Sequence, residues 1–74
     1  MYLKRIKELR EDNDKYQKEV ADSINATQQQ YSEYETGKRL IQIDKLILLA
    51  KYYRTSVDYI LELTNEIKPY PRNK

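Results

Sequence analysis

The stretch QKEVADSINATQQQYSEYETGKR, residues 17–39, decides how this chain is read. Val20, Ala21 and Ile24 recur at helical spacing and predict a short helix over Gln17 to Ile24. Asn25 follows, a residue that tolerates the left-handed conformation closing many helices. Thr27 then has the chemistry of an N-cap, with a hydroxyl able to accept from a free amide of the next turn. The second helix is predicted to run from there to about Thr36, where Gly37 ends it. Two short helices joined by a brief turn are the core of the reading.

Working outward, Leu3, Ile6 and Leu9 form a stripe that the polar run Glu11 to Asp14 interrupts, so a first helix is expected over residues 2–12. On the other side, Ile43, Leu46, Ile47, Ala50 and Tyr53 share one helical face, while Leu48, Leu49 and Tyr52 fall elsewhere. A helix apolar around most of its circumference is expected to be central and buried. Asp44 stands where a cap or first-turn acid belongs. Ser56 is expected to cap a fifth helix carrying Val57, Ile60, Leu61 and Thr64 along one side. The fold class is therefore all-α, a compact five-helix domain over residues 1–64. Residues 65–74, with Pro69 and Pro71, are expected to form a flexible tail.

Composition narrows the function classes. The 74 residues contain no Cys and no His, which removes disulfides, thiolate and imidazole metal sites and the usual general base. Ser23, Ser32 and Ser56 have no His to activate them, and one Gly cannot build a phosphate-cradling loop. No enzyme, metal or cofactor is expected. No apolar run reaches the 18 or so residues of a membrane span, and a cytoplasmic protein is the default. The formal charge of +2 permits a nucleic-acid partner without demanding one.

On a wheel begun at Gln28, the residues Gln28, Gln29, Ser32, Glu33 and Thr36 fall within about 140° of one another. Tyr31, Tyr34 and Glu35 lie on the other side, with Gln30 at the boundary. A face of this kind is by default a solvated one. It also suits base edges, since a Gln amide offers donor and acceptor together and can bond adenine in a bidentate way.

In Gln17-Lys18-Glu19-Val20-Ala21, Thr27-Gln28-Gln29-Gln30-Tyr31, Tyr34-Glu35 and Gly37-Lys38-Arg39 the chain resembles the phage repressor and Cro (C1-type) helix-turn-helix family. Asp44, Leu46, Leu49-Ala50 and the run Ser56 to Leu61 continue the likeness, which covers about residues 2–64. The resemblance implies a lambda-repressor-like fold with its third helix in the major groove of double-stranded DNA. By position it implies base contacts from Gln28, Gln29 and Glu33, with Ser32 as a further candidate. It implies phosphate contacts from Gln17, Lys18, Thr36, Lys38 and Arg39, and a largely buried salt bridge between Arg10 and Glu35. The wheel agrees on the last point, because an inward Glu35 needs a partner.

Four positions depart from the family pattern. Lys15 replaces an apolar residue, Tyr16 stands where Ser or Thr would cap the second helix, and Gln42 replaces a common Pro. Asp14 is expected to cap the second helix instead of Tyr16. Glu33 puts a carboxylate among the groove-facing residues, where it repels phosphate yet can accept from the cytosine amino group. That residue keeps a rival reading open, a protein–protein interaction module on the same fold, such as an antitoxin, with weak or no DNA binding. The expected activity is transcriptional regulation, with repression favoured. A homodimer on a pseudo-palindromic operator is expected, because one small domain spans few base pairs. Tyr59 and Leu63 point away from the core stripe of the fifth helix and are the candidates for its dimer surface.

Overall fold

The computed structural model describes residues 2–69. It contains five helices, α1 (Lys4–Asp12), α2 (Gln17–Ser23), α3 (Gln28–Thr36), α4 (Ile43–Tyr52) and α5 (Val57–Ile60). Helix α3 packs on α1 and α2, α4 on α2, and α5 on α4 and α1. They enclose a core of Leu3, Ile6, Leu9, Val20, Ala21, Ile24, Tyr31, Tyr34, Ile41, Leu46, Leu49, Ala50 and Ile60. No helix among the described residues is long and apolar enough to cross a membrane. The expected tail falls partly beyond what is described, with residues 70–74 lying outside it.

How the helices end explains how a chain with one Gly turns so often. At the ends of α1, α2, α4 and α5 the residues Asp14, Asn25, Arg54 and Glu62 take positive φ, between 53° and 64°. Each is followed by an amide that reaches back five residues: Lys15 to Arg10, Ala26 to Ala21, Thr55 to Ala50 and Leu63 to Asp58, at 2.8–3.0 Å. This is the Schellman arrangement, which satisfies carbonyls the helix leaves unpaired. The glycine is kept for α3, where Gly37 has φ 81°. Asn25 takes the left-handed stop that its chemistry suggests. Asp14 does not cap α2 as expected, because its backbone is committed to closing α1. The N-cap of α2 is Tyr16, whose amide donates to the Glu19 carboxylate at 3.0 Å.

Two further expectations are corrected. Helix α4 is amphipathic rather than buried all round: Leu46, Leu49 and Ala50 are covered, whereas Ile43 is 65% and Ile47 40% exposed. A domain this small has layers enough to cover one side of the helix, and those two residues lie at the rim of the covered arc. Helix α5 is a single turn, so Leu61 caps it and Thr64 lies beyond it. Its Ser56 cap is formed, with Oγ accepting from the Tyr59 amide at 3.0 Å.

Long-range polar contacts hold the frame. Lys45 of α4 donates to the carbonyls of Ile24 and Asn25 at 3.2 and 2.9 Å, placing a cation at the C-terminus of α2. It thereby fixes the turn between α2 and α3. Arg5 of α1 lies 4.1 Å from the Tyr59 ring centre and donates to the carbonyls of Tyr59 and Thr64. The Thr55 hydroxyl donates to the Ile67 carbonyl. The segment after α5 is thus tied back to the domain through Ile67.

Candidate nucleic-acid interface

Helix α3 is started and oriented by its own first turn. The Thr27 hydroxyl accepts from the Gln30 amide, and the Gln30 side-chain oxygen accepts from the Thr27 amide, both at 3.1 Å. This capping box consumes Gln30 and leaves Gln28 and Gln29 exposed beside it. On the inward side Tyr31, Tyr34 and Glu35 are all buried. Their burial clamps one flank of α3 into the core, so the other flank has one orientation relative to the domain.

Glu35 is the polar anchor of that clamp. Arg10 Nε and Nη2 donate to its two carboxylate oxygens at 2.6 and 3.2 Å, a bidentate pair with Glu35 only 3% exposed. Gln17 adds a side-chain amide at 3.2 Å, and Arg10 also reaches the Lys15 carbonyl at 3.1 Å. One ionic cluster therefore joins α1, the α1–α2 turn, α2 and α3. The Tyr31 hydroxyl lies beside this carboxylate without hydrogen-bond geometry to it, and burial raises the phenol's pKa.

Burial disfavours the charged form of Glu35, but the hydrogen bonds from Arg10 and Gln17 and the charge of Arg10 outweigh it. Its pKa is held below the ordinary 4.5. A depressed folded pKa stabilises the fold fully above the unfolded value and loses that contribution as pH falls through the folded one. Wild type should therefore exceed Glu35→Gln in denaturant stability at pH 7, with the gap closing below pH 4.5. A gap that stays constant into acid would show that Glu35 is not held ionised by the cluster.

The outward flank brings most of the sequence-predicted contact residues together. Gln17, Gln28, Gln29, Ser32, Glu33, Thr36 and Lys38 line one open concavity across α2, α3 and the following turn. Their chemistry is amides, hydroxyls, one carboxylate and one ammonium, groups that pair with the donors and acceptors of a nucleic-acid groove. Two of these side chains bond to residues of α3, contacts that sequence patterning did not show. The Gln17 amide is engaged with Glu35, and the Thr36 hydroxyl donates to the Glu33 carbonyl at 3.2 Å.

Lys18 and Arg39 lie outside that lining and are paired with carboxylates. Lys18 meets Asp22 one turn on at 3.6 Å with both side chains exposed, a contact weak enough to give way. Arg39 meets Glu33 at 2.8 Å, a much closer pair. The residues offered for a dimer surface separate as well. Leu63 is 72% exposed, whereas Tyr59 is half-buried beneath the Arg5 guanidinium. Leu40, Ile43 and Ile47 are exposed as well, although periodicity alone had assigned some of them to the core.

Residues 6–60 match a family model described as helix-turn-helix. The whole chain is 35% identical to YobD of Bacillus subtilis (strain 168), named as an uncharacterized HTH-type transcriptional regulator. The alignment takes in 100% of this chain and 66% of YobD, so the chain spans just under two thirds of that relative's length. No solved structure matches the chain.

Proposed function

This chain belongs to the Cro/C1-type helix-turn-helix family, and on that premise we propose that it regulates transcription by binding double-stranded DNA through α3. The observation that carries the reading is the outward flank of α3. Gln28, Gln29, Ser32 and Glu33 share one concavity, while the opposite flank of the same helix is locked by Tyr31, Tyr34 and the Arg10–Glu35 pair. A rigid helix with short polar side chains on its free side suits the major groove, where base edges differ in their donors and acceptors. In this reading Gln28 and Gln29 take adenine edges. Lys38 and Thr36 meet phosphates at the rim, and Gln17 contributes its backbone amide at the start of α2 while its side chain stays on Glu35. Lys18 can join the phosphate contacts by leaving Asp22.

The finer proposal is a homodimer acting as a repressor on a pseudo-palindromic operator, with Leu63 at the centre of the dimer surface and Tyr59 at its edge. Exposed Leu63 supports it, and the Arg5 contact to Tyr59 moves the centre away from that ring. The exposure of Leu40, Ile43 and Ile47 favours a second reading, in which the fold docks another protein.

Selecting duplexes from a random library and titrating salt distinguishes the two. DNA binding should return one half-site motif, with log affinity falling by roughly 0.9 per log unit of salt for each phosphate neutralised. An unenriched library, or binding indifferent to salt, would leave the protein-docking reading in its place.

A further inference from the structure

The Glu33–Arg39 pair joins a residue of the proposed reading face to the turn that follows α3. Gly37 turns the chain so that the Arg39 amide donates to the Glu33 carbonyl at 3.3 Å. The same turn brings Arg39 Nε to Glu33 Oε1 at 2.8 Å. Backbone and side-chain bonds thus close a ring that holds the carboxylate at the end of α3. The Glu33 side chain is 28% and the Arg39 side chain 51% exposed, so the pair stays open to an approaching ligand. Arg39 takes Oε1, and Glu33 lines the same concavity as Gln29 and Ser32.

We propose that Glu33, positioned and neutralised by Arg39, selects cytosine at one position of each half-site. The inference rests on the reading that α3 enters the major groove. An ionised carboxylate only accepts hydrogen bonds. In that groove cytosine offers the N4 amino donor, whereas guanine and thymine present acceptors and adenine pairs its amino group with an acceptor at N7. A bare carboxylate would also be repelled by the phosphates on either side. Arg39 offsets that repulsion and orients the free oxygen, so its part is positioning rather than a phosphate contact of its own.

Random-library selection with the full chain and with Glu33→Gln, Arg39→Gln and Arg39→Lys tests this. Wild type should prefer cytosine about tenfold at one position per half-site. Glu33→Gln should move that position toward adenine and leave the rest of the motif intact. Arg39→Gln should weaken the cytosine preference, and Arg39→Lys, which keeps the charge, should retain part of it. All three should melt near wild type, because an exposed pair contributes little to stability. Cytosine preference unchanged in Glu33→Gln overturns the assignment. Uniformly weaker binding with unchanged preference in Arg39→Gln makes Arg39 a phosphate contact and overturns its positioning role. If wild type enriches no motif, the groove reading itself falls, and this inference with it.

Discussion

Arg10→Met is expected to destabilise the domain by about 3 kcal/mol in urea unfolding, since removing one partner strands a buried charge. The expectation follows from an asymmetry in the pair. Glu35 is 3% exposed and Arg10 16%, so deleting Arg10 leaves the more deeply buried carboxylate with one amide from Gln17. Met fills comparable space with apolar atoms, so the loss reports on charge and hydrogen bonding rather than on a cavity. It also frees the Lys15 carbonyl at the α1–α2 turn. A domain of this size has roughly 4–11 kcal/mol in total, so such a loss is a large share of its stability. Two controls make the cause visible. In Arg10→Met the carboxylate is no longer held ionised, so mild acid should recover part of the loss. Adding Glu35→Leu should recover more, because well-packed apolar replacements of a buried pair are often tolerated. A cost under about 0.5 kcal/mol would remove the pair from the account of stability, as for an ordinary surface substitution.

The second large effect concerns recognition. Gln28→Ala with Gln29→Ala should weaken binding to the selected half-site by about 100-fold or more, because each bidentate Gln–adenine contact is worth about 1–3 kcal/mol. Both side chains are exposed and the capping box of α3 uses Thr27 and Gln30. Unfolding free energy should therefore change by no more than about 0.5 kcal/mol. Affinity for unrelated duplex and the salt slope should stay as they were, since phosphate contacts supply those. Fluorescence anisotropy with cognate and scrambled duplexes separates the two terms. A loss below threefold on cognate DNA, or an equal loss on both duplexes, would take base reading away from these glutamines.

The folding of α3 was legible in the sequence because its determinants are local. Thr27 caps it, Gln30 answers three residues later, and Gly37 supplies the left-handed stop, all within reach of their own turn. The inward position of Tyr31 and Tyr34 follows from helical spacing, and the partner of Glu35 from a family resemblance that paired it with Arg10. The cap of α2 was misread for an instructive reason. Asp14 has a good capping side chain, but its backbone is used to close α1, and side-chain preference cannot show which role wins.

Helical spacing also left open which apolar residues would be covered. Ile43 and Ile47 satisfy the same pattern as Leu46 and Ala50, yet burial is decided by where α2 and α5 lie against α4. Lys45 carries no local sign that it will hold the α2 carbonyls 20 and 21 residues earlier. Nor does Arg5 show that it will cover Tyr59, 54 residues away.

For the stretch 17–39 the division is plain. Sequence alone determined two short helices, their ends, and an outward set of Gln28, Gln29, Ser32 and Glu33, because caps, turns and faces depend on neighbours within a few residues. Tertiary structure decided which polar groups in and around that set are already engaged: Gln17 on Glu35, Glu33 on Arg39, Lys38 left exposed at the rim. Those outcomes depend on how Gly37 turns the chain and on how α1 and α2 pack against α3. Electrostatic pairing follows distance in space, and the fold sets that distance.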